Sequence, residues 1–170
     1  MRFVKIALAL IGVALVAVQF VRPPKNQSPQ MPGEGIDARF PVPPHIMQVF
    51  KRSCYDCHSD STVYPWYAQI QPLGWWLNSH IEKGKRGINF DRFSTYRPMR
   101  QYAKFRDIVE QLQKDEMPIG SYLLIHRYAR LGAEEKEEII TWSGAMMDSM
   151  KTRYPADSLQ RRRTETRAPR

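Results

Sequence analysis

The sequence has few cysteines, and this scarcity narrows the kinds of site that it can build. Cys54 and Cys57 are the only two in 170 residues. A zinc site needs four ligands, so two of His45, His80 and His126 would have to complete one. A thioredoxin-like dithiol belongs at a helix start in a strand-rich setting, and no such pattern surrounds this pair. The simplest possibility for the pair is a disulfide bond between Cys54 and Cys57.

The folded part of the chain also lacks an excess of positive charge, although the net charge of the whole is +9. Residues 1–39 carry five basic and two acidic side chains, and residues 151–170 carry seven and two. Residues 40–150 carry fourteen and thirteen. The basic excess therefore lies in the two ends rather than on one surface with stacking aromatics, and we expect no nucleic-acid partner.

The two cysteines belong to the run Cys54-Tyr55-Asp56-Cys57-His58. This C-x-x-C-H spacing is the attachment pattern of a c-type haem. On a helical turn, positions i, i+3 and i+4 share one face, so both sulfurs can reach the two vinyl groups of one porphyrin. His58 can then serve as the proximal iron ligand. The sequence therefore predicts covalently bound haem c, with its iron, as the cofactor.

The first 21 residues resemble a signal anchor. The run from Phe3 to Val21 is apolar except for Lys5 and Gln19, and it follows Arg2. No clean small-residue cleavage site follows it, which favours an uncleaved single-pass anchor. The flanking positive charges give almost no orientation, but covalent haem attachment is typical of exported proteins. We expect the domain on the periplasmic side of the cell inner membrane.

Three further segments are predicted from composition. Residues 22–44 contain seven prolines and are expected to form an extended linker. Residues 45–150 form the predicted haem-binding domain. Residues 151–170 have no apolar stripe and are expected to be a basic, disordered tail.

Helical periodicity in the domain predicts an all-α fold. Buried faces at i, i+3, i+4 spacing indicate about four helices. The first follows Pro44 and continues through His58, the second starts at Leu73, the third spans 99–115, and the last runs from about 131 to Met150. We predict a small cytochrome c-like domain whose helices surround one covalent haem.

Two residues compete for the second axial position of the iron. Met117 lies between the third helix and Pro118, which places a thioether on a loop facing the porphyrin. His80 points inward on the second helix and is the alternative ligand. Trp66, Trp75 and Trp76 are expected to pack around the haem and exclude water from it.

A stretch from residue 83 to residue 106 carries eight basic side chains against one acid. We interpret most of these as a solvated face. Two functional roles stay open for them, namely pairing with haem propionates and steering an acidic redox partner. The basic residues are Lys83, Lys85, Arg86, Arg92, Arg97, Arg100, Lys104 and Arg106.

These motifs together resemble a known family. They are the C-x-x-C-H run followed by Ser59, Tyr64-Pro65-Trp66-Tyr67, Gln71-Pro72, Trp75-Trp76, Gly84-Lys85-Arg86, Asn89-Phe90, Glu116-Met117-Pro118 and Ser121-Tyr122 through His126. Over residues 20–147 the chain resembles the bacterial haem-binding domain family of small, membrane-anchored, c-type cytochrome-like proteins. The resemblance implies covalent haem c in an exported domain.

The order of parts is also similar to that of class I cytochromes c. The present chain departs from small members of that class by a longer insert between His58 and Met117, which contains the tryptophan-rich helix. This insert is the reason that His80 competes with Met117.

The predicted function is single-haem electron transfer to or from a redox partner protein, without enzymatic activity. The second hypothesis is a haem-based sensor or peroxidase-like domain, with an open sixth position and His80 or His126 as a distal hydrogen-bond donor. The third is a haem-free structural or zinc module.

Overall fold

The computed structural model describes residues 1–160, and these residues confirm the all-α prediction. No β-strand occurs among them, and one isolated bridge joins Gln27 and Ser61. The helices are α1 Arg2–Ala17, α2 Pro44–Ser53, α3 Tyr55–His58, α4 Leu73–Gly87, α5 Pro98–Gln113, α6 Gly120–Leu123, α7 Ala133–Arg153 and α8 Ala156–Leu159. Short 3-10 helices occupy Val18–Phe20, Ile36–Ala38, Trp66–Gln69, Phe90–Thr95 and Arg127–Ala129.

The main core forms where α5 packs against α7. Pro98 begins α5, because its fixed φ suits the first helical turn. The carboxylate of Glu135 accepts a hydrogen bond from the Gly132 amide N–H at 2.9 Å, which caps the start of α7. The rings of Phe105 and Trp142 meet edge to face with centroids 5.5 Å apart. These two helices support the back of the cavity described below.

The helix that carries the cysteines is broken, contrary to the prediction of one continuous helix. Helix α2 ends at Ser53, and Cys54 takes a φ of −125° before α3 begins at Tyr55. The amides of Cys57 and His58 both donate to the Cys54 carbonyl, at 3.1 and 3.0 Å. Residues 55–58 therefore form a separate helical turn that does not continue along the axis of α2.

The proline-rich segment is packed against the domain, so the prediction of an extended linker is wrong for its second half. Ile36 and Phe40 are fully or nearly fully buried in the main core. The Phe40 ring lies 4.8 Å from that of Phe105, centroid to centroid. Prolines prevent regular structure here, but they do not prevent the apolar side chains between them from being buried.

The predicted tail is likewise ordered at its beginning. Helix α7 continues to Arg153, and α8 follows after Pro155. Leu159 is 6% exposed and belongs to the main core. This single buried leucine is too weak a periodic signal to be recognised in the sequence. Residues 161–170, the rest of the predicted tail, lie outside the described residues.

The N-terminal helix has the length and composition of a membrane span. Among the described residues, the helical stretch Arg2–Phe20 is the one that is long and apolar enough to cross a membrane, and it is not buried in the protein. Such a helix is compatible with the predicted anchor.

Candidate functional site: an apolar cavity beside the two cysteines

A cavity of about 420 Å³ opens between α3, α4, α5 and the segment that follows α5. This volume lies within the range of small-molecule and cofactor sites. Apolar side chains make most of its wall. They include Phe50, Ile88, Phe90, Ile108, Leu112, Pro118, Ile119, Leu131 and Ile139. The cavity is therefore suited to a large, mostly apolar group.

Cys54, Cys57 and His58 all line this cavity, as the motif predicts. The His58 Nδ1–H donates to the carbonyl of Ile88 at 3.1 Å. A carbonyl can only accept, so this bond fixes the proton on Nδ1 and leaves the lone pair of Nε2 free. Burial lowers the pKa of His58, which keeps the ring neutral. A neutral, oriented imidazole is the form that binds a metal.

The two sulfurs are thiols and are not joined in a disulfide. Burial raises the pKa of Cys54 to about 12 and that of Cys57 to about 11. Dithiol oxidoreductases depend on a lowered thiol pKa, so this environment is the opposite of theirs. Within residues 1–160, no group of three His, Cys, Asp or Glu side chains is placed to hold a metal ion.

A glycine allows α4 to approach the motif closely. An added Cβ at Gly84 would lie 2.5 Å from the Cys57 carbonyl oxygen, which is backbone and has little freedom to move. Gly84 lies inside α4, which continues to Gly87. The role of Gly84 is therefore a close contact between two backbones.

The buried carboxylate of Asp60 and its polar partners fix the chain two residues after His58. Asp60 is 3% exposed and accepts from Arg92 at 2.5 Å and from the Asn89 amide at 2.9 Å. Its carboxylate also lies 3.1 Å from the Lys85 ammonium. Burial alone would raise the pKa of Asp60, but these bonds outweigh burial and lower it. Because Asn89 follows Ile88, these contacts also hold the carbonyl that orients His58.

Met117 and His80 both line the cavity, so the structure brings the two competing residues to one site. Met117 lies beside Pro118 in the segment after α5. The His80 Nδ1–H donates to the Trp76 carbonyl of its own helix at 2.9 Å. Because the ring proton of the neutral imidazole is then on Nδ1, the Nε2 atom of His80 keeps a free lone pair. Both side chains are therefore candidates for the position opposite His58.

The three tryptophans predicted to pack around the haem are not part of the cavity wall. Trp66 is 75% exposed, and Trp75 and Trp76 are each 38% exposed. The ring of Trp76 packs against that of His80 at a tilt of 48°, with centroids 4.4 Å apart, so Trp76 approaches the site only through that residue. An aromatic run signals burial on average, but it does not specify the surface that the rings will contact.

Two of the eight basic residues line the cavity, namely Lys83 and Lys104. Lys104 also pairs with Asp107 at 2.7 Å. Lys85 and Arg92 instead pair with Asp60, and their role is structural. Of the eight basic residues, two therefore border the cavity and two form ion pairs with the buried Asp60.

Sequence reasoning missed a tyrosine that holds the middle of the motif. The Tyr122 hydroxyl donates to Asp56 Oδ2 at 2.6 Å. Tyr122 also stacks on His126, with ring centroids 4.2 Å apart. Both nitrogens of His126 are hydrogen-bonded, to the hydroxyls of Tyr67 and Tyr128, and this residue does not line the cavity. Nothing in the spacing of these residues predicts their contact.

The donors present match a covalently attached haem. Two uncharged thiols and one neutral imidazole border a cavity with mostly apolar walls, and a thioether and a second imidazole also border it. These are the residue types that bond a porphyrin edge and ligate its iron. Residues 54–58 supply three of them from a single helical turn.

Comparison with known proteins gives the same answer at the level of the family. A protein-family model for a haem-binding domain matches residues 13–145, which is more than three quarters of the chain. Searches of curated proteins and of solved structures each returned no match. The predicted resemblance is therefore confirmed, and the chain belongs to the haem-binding domain family.

Proposed function

We propose that the domain binds one haem c covalently, through thioether bonds to Cys54 and Cys57, and that it transfers single electrons. The observation that carries the proposal is the position of Cys54, Cys57 and His58 together on an apolar cavity. When bound, the haem iron supplies reversible one-electron redox chemistry. The protein's residues attach the group, keep water from it and set its potential.

His58 is the proposed proximal ligand, and Met117 is the proposed distal one. The Ile88 carbonyl orients His58 and leaves Nε2 available, which supports the first assignment. Met117 borders the same cavity on a segment that is separate from the motif, which supports the second. A His/Met pair raises the reduction potential relative to two histidines, because the thioether is a weaker donor to oxidised iron.

The two cavity lysines suit the propionate groups of the haem. Lys83 and Lys104 bring positive charge to a largely apolar wall that also holds Asp56 and Asp107, and Lys104 pairs with Asp107 at 2.7 Å. A carboxylate placed in such surroundings needs a charged hydrogen-bond partner. We therefore assign Lys83 and Lys104 to the propionates that a bound haem would carry, and we expect a redox partner protein to exchange electrons with the domain.

We further propose that α1 anchors the protein in the cell inner membrane, with the domain in the periplasm. The support is the apolar stretch Arg2–Phe20 together with a haem motif of the exported type.

The axial assignment is tested with Met117→Ala in the purified holoprotein, with Met99→Ala as the matched control. Met99 is also half-buried, but it does not line the cavity. We expect Met117→Ala to change the visible spectrum of the oxidised protein and to lower its reduction potential. The Met99 variant should keep both properties. An unchanged spectrum and potential in Met117→Ala would contradict the assignment.

A specific observation favours one second candidate, a haem-based sensor or peroxidase-like domain. His80 borders the cavity and has one ring nitrogen free of its bond to Trp76. In this case His80→Ala, rather than Met117→Ala, changes the spectrum. The reduced wild-type protein would then also bind carbon monoxide without denaturation.

A further inference from the structure

Five apolar side chains between residues 66 and 76 are exposed, and together they define the tryptophan patch. Trp66 is 75% exposed, Ile70 44%, Leu73 47%, and Trp75 and Trp76 38% each. Isolated exposed apolar residues are common in soluble proteins, but several in one short stretch mark an interaction site. Because these residues do not line the cavity, the proposed function leaves them without a role.

The patch is hydrogen-bonded to the end of the N-terminal helix. The side-chain amide of Gln19 donates to the Gln71 carbonyl at 3.0 Å, and the Gln71 amide N–H donates back to Gln19 Oε1 at 2.9 Å. The Trp75 indole N–H donates to the Val21 carbonyl at 2.7 Å. The patch therefore begins where α1 ends.

This attachment determines the depth of the patch if α1 crosses a bilayer. The stretch Arg2–Phe20 contains 19 residues. At a rise of 1.5 Å per residue it is about 28 Å long, close to the thickness of the hydrocarbon layer. Gln19 and Val21 then lie at the boundary between acyl chains and headgroups. Gln71 and Trp75 lie at the same level, because they are bonded to them.

The chemistry of this region suits the boundary of a bilayer. Tryptophan is enriched there, because its ring is apolar and its N–H is polar. Arg22 follows the apolar stretch and donates to the Gln69 side chain at 3.3 Å, and Lys25 lies 5.9 Å from the centre of the Tyr64 ring. Such basic residues favour anionic lipid headgroups.

We infer that the tryptophan patch lies in the headgroup region of the bilayer that α1 spans, so that the domain is held in one orientation on the membrane surface. The occupant is the lipid surface rather than a second protein, because the patch is continuous with the membrane helix through three hydrogen bonds. The inference rests on the proposed anchoring by α1.

The test uses the full-length holoprotein in vesicles of phosphatidylethanolamine and phosphatidylglycerol. A small fraction of phosphatidylcholine carries a diazirine near its ester carbonyls, and light converts it to a carbene that labels nearby residues. Digestion and mass spectrometry then locate the labels. We expect label in α1 and in residues 66–76. The exposed residues Lys151, Thr152 and Arg153, at the end of the α7 helix that packs on the main core, are the internal control and should stay unlabelled.

A double variant, Trp66→Ser with Ile70→Ser, sharpens the test. Neither side chain lines the cavity, so the visible spectrum should not change and will report that the fold is intact. We expect label in residues 66–76 to fall severalfold while label in α1 stays constant. The control Met31→Ser, at an apolar side chain that is 54% exposed outside the patch, should leave both unchanged.

The outcomes separate the inference from the anchor on which it rests. Label in α1 alone would overturn the inference and leave the anchor standing. Absence of label in α1 would overturn the anchor and the inference together. Equal label in residues 66–76 and in residues 151–153 would also overturn the inference, since contact would then be unspecific.

Discussion

The motif turn, residues 54–58, and the tryptophan patch, residues 66–76, are close in sequence and opposite in environment. The motif turn borders an internal apolar cavity, whereas the patch is exposed beside the end of α1. Both stretches carry residues that could serve a haem. The apolar residue types in both stretches favour contact with an apolar environment. Whether that environment is the internal cavity or the outer surface depends on which part of the chain the backbone of each stretch is bonded to.

The backbone attachments are different in kind. The motif turn is held by the Gly84 close approach and by the Ile88 carbonyl, and both come from the segment around the end of α4. The patch is held by hydrogen bonds to Gln19 and Val21. A change that alters the first set should affect haem binding, and a change to the patch should not.

The largest expected effect is on the free energy of unfolding, and it is seen by comparing a buried tryptophan with an exposed one. Trp142 is 7% exposed, and its indole N–H donates to the Pro41 carbonyl at 2.9 Å. Trp142→Ala should lower the free energy of unfolding by about 3–5 kcal/mol, because it leaves a core cavity. Trp66→Ala should change it by less than about 0.5 kcal/mol. Denaturant unfolding followed by circular dichroism measures both, and equal losses would contradict the exposed position of the patch.

The second prediction concerns the contact of α4 with the motif turn. Gly84→Ala places a methyl group 2.5 Å from the Cys57 carbonyl oxygen, so α4 and α3 must separate. We expect a loss of about 1–3 kcal/mol in unfolding free energy and a reduced yield of attached haem. Gly144→Ala in α7 is the matched control, since the same methyl group there has no neighbour within 4 Å and this residue does not line the cavity. Equal haem yields in the two variants would show that the close approach is unnecessary.

The smallest expected effect depends on pH and concerns the link between α2 and α7. Glu135 accepts from Arg52 at 2.8 Å, and this bond lowers the pKa of Glu135. A carboxylate with a lowered folded pKa contributes stability above its unfolded pKa of about 4.3, and the contribution is lost as pH falls through the folded pKa. Glu135→Gln should therefore cost about 0.5–1 kcal/mol at neutral pH.

The same difference between wild type and Glu135→Gln should shrink as the pH falls below about 4. Thermal unfolding at a series of pH values measures it. A difference that is constant from neutral to acid pH would mean that the ion pair contributes nothing and that the substitution acts through shape alone.

Much of the fold could be predicted because helices leave a repeating apolar pattern. Helix α4 begins at Leu73 as predicted, and α5 and α7 lie close to their predicted ranges. The break at Cys54 could not be predicted, because the apolar pattern continues through it. The burial of Ile36 and Phe40 was also missed, since prolines around them remove any periodic signal.

The candidate site shows the same division. The motif turn places its donors through local spacing, so Cys54, Cys57 and His58 could be recognised directly. The Ile88 carbonyl and Tyr122 act on the motif from distant parts of the chain, and tertiary contacts of this kind leave no mark in spacing. The surroundings of Trp75 left no mark in the spacing for the same reason, because its indole N–H is bonded to the distant Val21 carbonyl.

The central claim is covalent haem attachment at the motif turn, and the intact mass of the denatured protein tests it most directly. The protein is produced together with a haem-attachment system, unfolded and passed through a mass spectrometer. We predict the mass of one chain plus one haem, and the mass of the chain alone for the double variant Cys54→Ser with Cys57→Ser. A wild-type mass equal to that of the chain alone, with the colour lost on unfolding, would contradict the account.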